Sequence, residues 1–523
     1  MNTHNPSSRP RLSVAMILRD GEDLLPTTLE SVRPIADETV VLDARASDET
    51  PLVADRLGAA VLRYAWENDF SAARNQLLDK VTGQWVLWVE PGERLLGPSQ
   101  TELRQFVHRG PNPDRVYRVT VEMPAADPAE SAEQSAQLRL MPNRPDLWFE
   151  GRVRETLKPS IAAAGLDVES APGKLTGHPR QHDPEYKARR ARENLDLAKL
   201  EWLQSQHPEA RTLLAIGEAA SDLKDVALAG RAFSQAIGLA PRGSLEMLEA
   251  YYGLLSSHEG DPQSADRQLA ACAEALEVFP LDAQLLCAMG NYLQGRRQLD
   301  LAARSFDAAV RFGQVNEETW HLGDLAEVAV ACLGLTLQLL QRDDEARAAF
   351  EEALRRHPDS VRLRRHLVDL HVKHGQTAIA LAVAERLPVP AEDREPLRNA
   401  IRGACQAARQ DWLPALGYLQ SAYVGGCSDP LCLRWLSIAL MSNGQKDAAL
   451  PVLHLWQRRE PGNREVQAYL AAIAPGPSAI GAREVSRAAR RWEGQWHRLD
   501  PAASVVAAPT CPVPIVCQAM STD

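Results

Sequence analysis

Short apolar runs alternate with helical patterns over the first 90 residues, regularly enough to place each element. Strands are predicted at Leu12 to Leu18, Thr39 to Leu42, Ala60 to Tyr64 and Trp85 to Val89. Helices are predicted from about Asp23 to Val32, Pro51 to Leu57 and Phe70 to Lys80. This rhythm predicts an α/β amino-terminal domain with a mostly parallel sheet covered on both faces. Such sheets bind ligands outside the carboxyl ends of their strands, where Arg19-Asp20, Asp43, Trp66 and Glu90 fall. Side-chain alternation puts Trp85 and Trp88 on opposite faces of one strand. After Glu93 the pattern weakens. Strands at Val116 to Val121 and Gln137 to Met141 flank a loop from Pro124 to Gln137, and the breakers Pro172, Gly173, Gly177, Pro179 and Pro184 read as a domain boundary.

From about Tyr186 to Ile473 the pattern becomes helical, and it repeats. Ala229-Phe233-Ala236-Pro241 recurs as Ala302-Phe306-Ala309 and as Ala346-Phe350-Ala353-Pro358, and Gly217, Gly290 and Gly334 each precede the first alanine by twelve residues. These spacings resemble the tetratricopeptide repeat, a pair of antiparallel helices, and about six to eight units are expected on its period. Small residues are needed where the helices of a unit approach closely, Phe fills the groove to the neighbour, and Pro ends the second helix. Pro475-Gly476-Pro477 ends the array; a short basic piece with Arg483, Arg487, Arg490, Arg491 and Trp492 follows, then a tail expected to be poorly ordered. The expected division is residues 1–11 as a flexible terminus, 12–185 as the α/β domain, 186–474 as an all-α solenoid and 475–523 as linker, helix and tail.

Composition narrows the function classes. A chain of 523 residues with 45% hydrophobic and 24% charged residues has room for two or three packed units. A formal net charge of -11 argues against a nucleic-acid surface, which needs clustered Lys and Arg along the phosphates. The eight cysteines form no CxxC and no zinc-spaced Cys/His cluster, and most sit in apolar helical patterns, which predicts buried reduced thiols. No apolar run is long enough to span a membrane and residues 1–11 carry no apolar leader core, so a cytoplasmic, disulfide-free protein is expected.

Several pieces in order resemble a family 2 glycosyltransferase. Ser13 to Asp20 is similar to the family's first strand, and Val41-Leu42-Asp43-Ala44-Arg45-Ala46-Ser47-Asp48-Glu49-Thr50 to its Val-Asp-x-Gly-Ser-Thr-Asp-x-Thr. Phe70-Ser71-Ala72-Ala73-Arg74-Asn75 leads to Trp85 through Val89 and then Glu90-Pro91-Gly92-Glu93, where the family has an aspartate-rich end. Arg139-Leu140, then Phe149-Glu150-Gly151 through Arg154-Glu155, resemble its Arg-Leu-Phe and Glu-Gly-x-x-His-Glu, and His178 matches a later histidine.

The resemblance implies a nucleotide-sugar donor, an acceptor hydroxyl deprotonated by a carboxylate, and a divalent cation (Mn or Mg) on the leaving diphosphate. It assigns Glu155 as base, Asp43, Asp48, Arg74 and Glu90 to the donor, and Glu90, Glu93 and His178 to the metal. Each assignment has a structural alternative. Asp48 caps a helix, Glu90 to Glu93 is a polar turn, His178 is a solvated loop residue, Glu155 pairs with Arg152 or Arg154, and Arg74 with Asn75 fixes helix to strand ends. Arg45 for a glycine, Gly92 for an aspartate and Arg154 for a histidine depart from the family pattern. Two functions follow: a glycosyltransferase whose repeats present a protein or glycan acceptor, or a catalytically inactive scaffold whose repeats bind protein or peptide partners.

Overall fold

A computed structural model describes residues 11–19, 23–44, 49–125, 131–178, 183–207, 209–257, 265–460 and 463–473. Asp48, Arg45, the terminus 1–10 and everything after Ile473, with the expected basic helix and tail, lie outside these residues. The chain forms two compact units, one running to Leu285 and including Gln314–Asp324, the other comprising Leu286–Gly313 and the chain from Leu325.

In the first unit, β1 (Leu12–Leu18), β2 (Glu38–Asp43), β3 (Ala60–Arg63) and β4 (Trp85–Trp88) alternate with α1 (Leu25–Val32), α2 (Thr50–Arg56) and α3 (Phe70–Leu78). Then come β5 (Arg94–Leu95), α4 (Pro98–Arg109), β6 (Arg115–Met123), β7 (Glu133–Pro142), α5 (Lys158–Ala164) and β8 (Asp167–Thr176). With β9 (His321–Leu322) paired to β7, they form one sheet in the order β3-β2-β1-β4-β7-β6-β8-β5. The β1–β2, β1–β4 and β2–β3 pairs are parallel, whereas β7 meets β4 and β6 antiparallel. All seven residues of β1 and all four of β4 are buried, as strands covered on both faces require. Trp85 joins the core on one face with Leu12, Val14 and Tyr117, and Trp88 joins the other with Ala15, Ile17 and Phe149.

Two expectations need correcting. The breaker cluster does not stop the sheet, because β8 runs through Pro172 and Gly173. Its register against β6 jumps from Arg118↔Ser170 to Thr120↔Lys174, so Ala171, Pro172 and Gly173 stand opposite Val119 alone. A bulge of this kind accepts a residue without an N–H and a glycine at φ +85°. The expected loop ending at Gln137 is shorter, because β7 begins at Glu133.

The same unit continues into α6 (Pro184–Gln204), α7 (Ala210–Asp222), α8 (Val226–Leu239), α9 (Leu245–Ser257) and α10 (Ala265–Val278). Phe233 of α8 is fully buried against glycines of both neighbouring helices: a methyl group on Gly217 would stand 2.6 Å from its ring, and one on Gly253 would collide with it. After α11 (Ala283–Gly295), α12 (Leu299–Phe312), α13 (Leu325–Leu339), α14 (Asp343–Arg356) and α15 (Val361–Lys373), six further helices run from Thr377 to Ile473 among the described residues. In the second unit the motif recurs, with Phe306 on Gly290 and Phe350 on Gly334. The helices are therefore paired as the tetratricopeptide spacing predicts, into a helical solenoid. Cys272, Cys287, Cys405, Cys427 and Cys432 are buried and lie outside any disulfide, and among the described residues no helix is long and apolar enough to cross a membrane.

Candidate functional site

The carboxyl ends of β1, β2 and β4 share one edge of the sheet. Asp43 closes β2, half-buried, in register with Leu18 on one side and Arg63 on the other. Past β4 the chain makes a turn that caps itself: Glu93 N–H donates to Glu90 O, and Glu90 N–H donates to Glu93 Oε2, both at 2.9 Å. Helix α1 fixes this turn, since Thr28 Oγ1 accepts from Gly92 N–H at 2.9 Å and Ser31 Oγ accepts from Leu95 N–H at 3.1 Å.

Helix α3 aims its side chains into the same place. Asp69 caps it, accepting from Ala72 N–H at 3.0 Å and from Ser71 Oγ–H at 2.7 Å. One turn on, Asn75 clamps Phe149 through its amide: Nδ2 donates to Phe149 O at 2.9 Å and Oδ1 accepts Phe149 N–H at 2.7 Å. Arg74 points inward. Its Nε donates to Glu155 at 2.5 Å and its Nη2 to Glu90 at 2.9 Å, while the guanidinium lies 4.6 Å from the Trp88 ring centre and 5.2 Å from that of Phe149. Burial by itself lowers the Arg74 pKa, but Glu155 and Glu90 outweigh it and hold the group above its ordinary value.

Of the residues assigned from sequence, Arg74, Glu90, Glu93 and Glu155 meet, Asp43 stands at the end of β2 on the same edge of the sheet, and Asp48 falls outside the described residues. One partner went unassigned. Arg139 of β7 donates to Glu90 at 3.3 Å and to Glu93 at 2.8 Å, with Gln137 accepting two further bonds at 3.2 and 2.8 Å. It lies in the quoted Arg139-Leu140 piece, but alternation along β7 does not place it, because the register against β6 jumps from Tyr117↔Leu140 to Arg118↔Leu138 and leaves Arg139 at the irregularity. The Arg74, Arg139, Glu90, Glu93 and Glu155 side chains are each at most 7% exposed. Burial pushes Glu93 up to about 7, with Arg139 pulling the other way. Glu90 Oε2 and Glu155 Oε2 are buried without a hydrogen-bond partner.

Glu155 ends a loop closed by paired bonds between Glu150 and Thr156, at 3.0 Å each. It pairs with Arg74 rather than with Arg152 or Arg154. Arg154, at φ +51°, turns the other way and pairs with Glu218 of α7 and, at 2.7 Å, with Glu249 of α9. Arg211 of α7 donates to Glu150 O and Arg154 O at 3.2 and 3.1 Å, over Gly151, where any side chain would collide with its guanidinium. Phe70 and Val153 pack in one core with Leu195, Leu213, Ile216 and Phe233. The loop carrying Glu155 is thus held by α3 on one side and by repeat helices on the other.

The cation implied by the family resemblance does not fit the residues present. Glu90 and Glu93 are already engaged by two guanidinium groups, and no group of three or more His, Cys, Asp or Glu among the described residues is arranged to hold a metal. Position 92 disfavours the family's second aspartate: Gly92 has φ +97°, and a Cβ there would lie a tight 3.1 Å from the Cβ of His178. His178 is half-buried beside the turn, with its Cβ next to Gly92.

Residues 13–90 match the model of the family described as glycosyl transferase family 2. A TPR repeat-containing protein of Synechococcus elongatus is 31% identical over 316 residues, which cover 57% of this chain and 74% of the relative. An uncharacterized glycosyltransferase of Rickettsia conorii is 24% identical over 119 residues, covering 23% of this chain and 42% of the relative. The glycosyltransferase SunS of Bacillus phage SPbeta is 26% identical over 89 residues, 17% of this chain and 21% of its own. The chain thus spans less than half the length of these two glycosyltransferases. Among solved structures, a tetratricopeptide repeat protein from Parabacteroides merdae superposes with a TM-score of 0.38 at 13% identity, over 50% of this chain and 97% of its own.

Proposed function

This chain belongs to the TPR repeat-containing proteins, with a family 2 glycosyltransferase domain at its amino end, and we propose that it transfers a sugar from a nucleotide-sugar donor to a protein or glycan acceptor presented by the repeats. The observation that supports this is convergence: Arg74, Glu90, Glu93, Arg139 and Glu155, from four separate stretches of chain, form one hydrogen-bonded cluster at the end of β4. In this reading Asp43 accepts a hydrogen bond from the donor's base or ribose, with Asp48 supporting that loop. Arg74 fixes Glu155 through Oε1, leaving Oε2 to take the proton of the acceptor hydroxyl. The acceptor oxygen bonds the sugar's anomeric carbon, and that carbon's bond to the diphosphate breaks with its electron pair leaving on the phosphate.

One observation favours a second reading, a catalytically silent scaffold: the Glu155 side chain is only 1% exposed. The readings separate on the full-length protein incubated with a panel of nucleotide sugars, by calorimetry and by release of nucleoside diphosphate. Turnover that Glu155→Gln abolishes while donor binding persists supports transfer. Binding without turnover supports the scaffold, and no binding at about millimolar ligand rejects the donor site altogether.

A further inference from the structure

The carboxylates at the end of β4 have their positive charge built in. Glu90 Oε1 accepts from Arg74 at 2.9 Å and Arg139 at 3.3 Å, Glu155 Oε1 from Arg74 at 2.5 Å, and Glu93 Oε1 from Arg139 at 2.8 Å. Three carboxylates and two guanidinium groups sum formally to -1, because -3 and +2 give -1. One divalent cation on the same three carboxylates leaves the same balance.

The supports of these guanidinium groups are rigid. Arg74 lies against the Trp88 and Phe149 rings and projects from a helix whose next residue, Asn75, is clamped to Phe149. Arg139 stands at the register shift of β7 against β6, next to Leu140, which is paired with both Leu87 and Tyr117, and its guanidinium is held again by Gln137. Neither group deprotonates in a protein, so the charge is permanent. A metal entering here would meet two fixed positive charges around Glu90 and would find no third carboxylate at position 92, which is glycine at φ +97°.

Resting on the donor-binding reading, we infer that Arg74 and Arg139 occupy the electrostatic place of the family's divalent cation in this chain, and that nucleoside diphosphates bind it without metal. The substitution of Gly92 is then one part of a rebuilt cluster, with the charge moved from a dissociable ion onto two side chains.

The test uses the full-length protein and two probes, UDP and GDP, titrated by calorimetry in EDTA and again in manganese chloride, with Mn2+ alone followed by its solution EPR signal. At least one probe is expected to bind, with dissociation constants agreeing within about twofold between the two buffers, and the Mn2+ signal is expected to be undiminished by protein. Tightening by manganese of about tenfold or more, or a stoichiometric loss of the Mn2+ signal that Glu90→Gln restores, overturns the inference and leaves donor binding standing. Absence of binding in both buffers overturns donor binding and the inference with it. Arg139→Met supplies the converse: a folded variant should acquire manganese dependence of about tenfold or more, and one that binds as before without metal also overturns the inference. If that variant fails to fold, the comparison of buffers in the native protein decides.

Discussion

Restoring the family's aspartate at position 92 should damage the protein rather than repair it. Gly92 has φ +97°, in the left-handed half of conformational space, where a side chain costs about 1–2 kcal/mol. A Cβ would also stand 3.1 Å from His178 Cβ and 3.4 Å from Leu24 Cδ1, and displacing packed neighbours adds about 1 kcal/mol. Loss of glycine's freedom in the unfolded chain returns about 0.5 kcal/mol. Gly92→Ala should therefore lose about 2 kcal/mol. Gly92→Asp adds a carboxylate beside Glu90 and Glu93 and should lose about 3–4 kcal/mol. Urea unfolding followed by tryptophan fluorescence and far-ultraviolet circular dichroism measures both, with each resolved transition fitted separately because the chain has two units. A Gly92→Ala protein within about 0.5 kcal/mol of the native one would refute the steric argument. A Gly92→Asp protein stabilised by manganese chloride would refute the electrostatic one.

Three other outcomes are expected. Asp69→Ala removes the cap of α3 and should cost about 1 kcal/mol in urea unfolding, which Asp69→Ser should largely restore. Phe350→Ala empties the groove against Gly334 and should cost about 3–5 kcal/mol, lowering the thermal midpoint seen by calorimetry; a change under 1 kcal/mol would mean the repeat core is not packed as described. Burial holds Glu218 up to about 8, with Arg154 working against it. A carboxyl whose folded pKa lies above its unfolded value gives stability that is full below about pH 4.3 and is lost as pH rises through about 8. Glu218→Gln should flatten the fall of the urea midpoint over that window, and an unchanged pH profile would exclude Glu218 as its source.

The fold was legible where the local pattern and the tertiary structure demand the same thing. β1 was placed at Leu12 to Leu18 by an apolar run broken only at Ser13, which is what a strand buried on both faces needs, and the glycine-to-alanine spacing of twelve found the phenylalanine sockets because helix pairing fixes that distance along the chain. β8 was missed because a bulge absorbs Pro172 and Gly173, and bulges depend on the partner strand, which a local reading cannot see. At the site, motif order located Arg74, Glu90, Glu93 and Glu155, yet their partners were not legible. Nothing near Glu155 in sequence says that it pairs with Arg74 across 81 positions, or that Arg154 beside it turns outward to Glu218 and Glu249.

The grip of Arg154 and Arg211 on the loop that ends at Glu155 bears on how such chains recombine. A fusion protein is usually imagined as interchangeable cassettes joined at a linker, and the proline- and glycine-rich stretch before Asp183 looks like that joint. A cut there would strip Arg154 of both carboxylates and remove Arg211 from over Gly151. The exchangeable piece instead takes in α9, which carries Glu249, and reaches on to β9, whose His321 and Leu322 pair with β7, so the repeats up to that strand travel with the sheet.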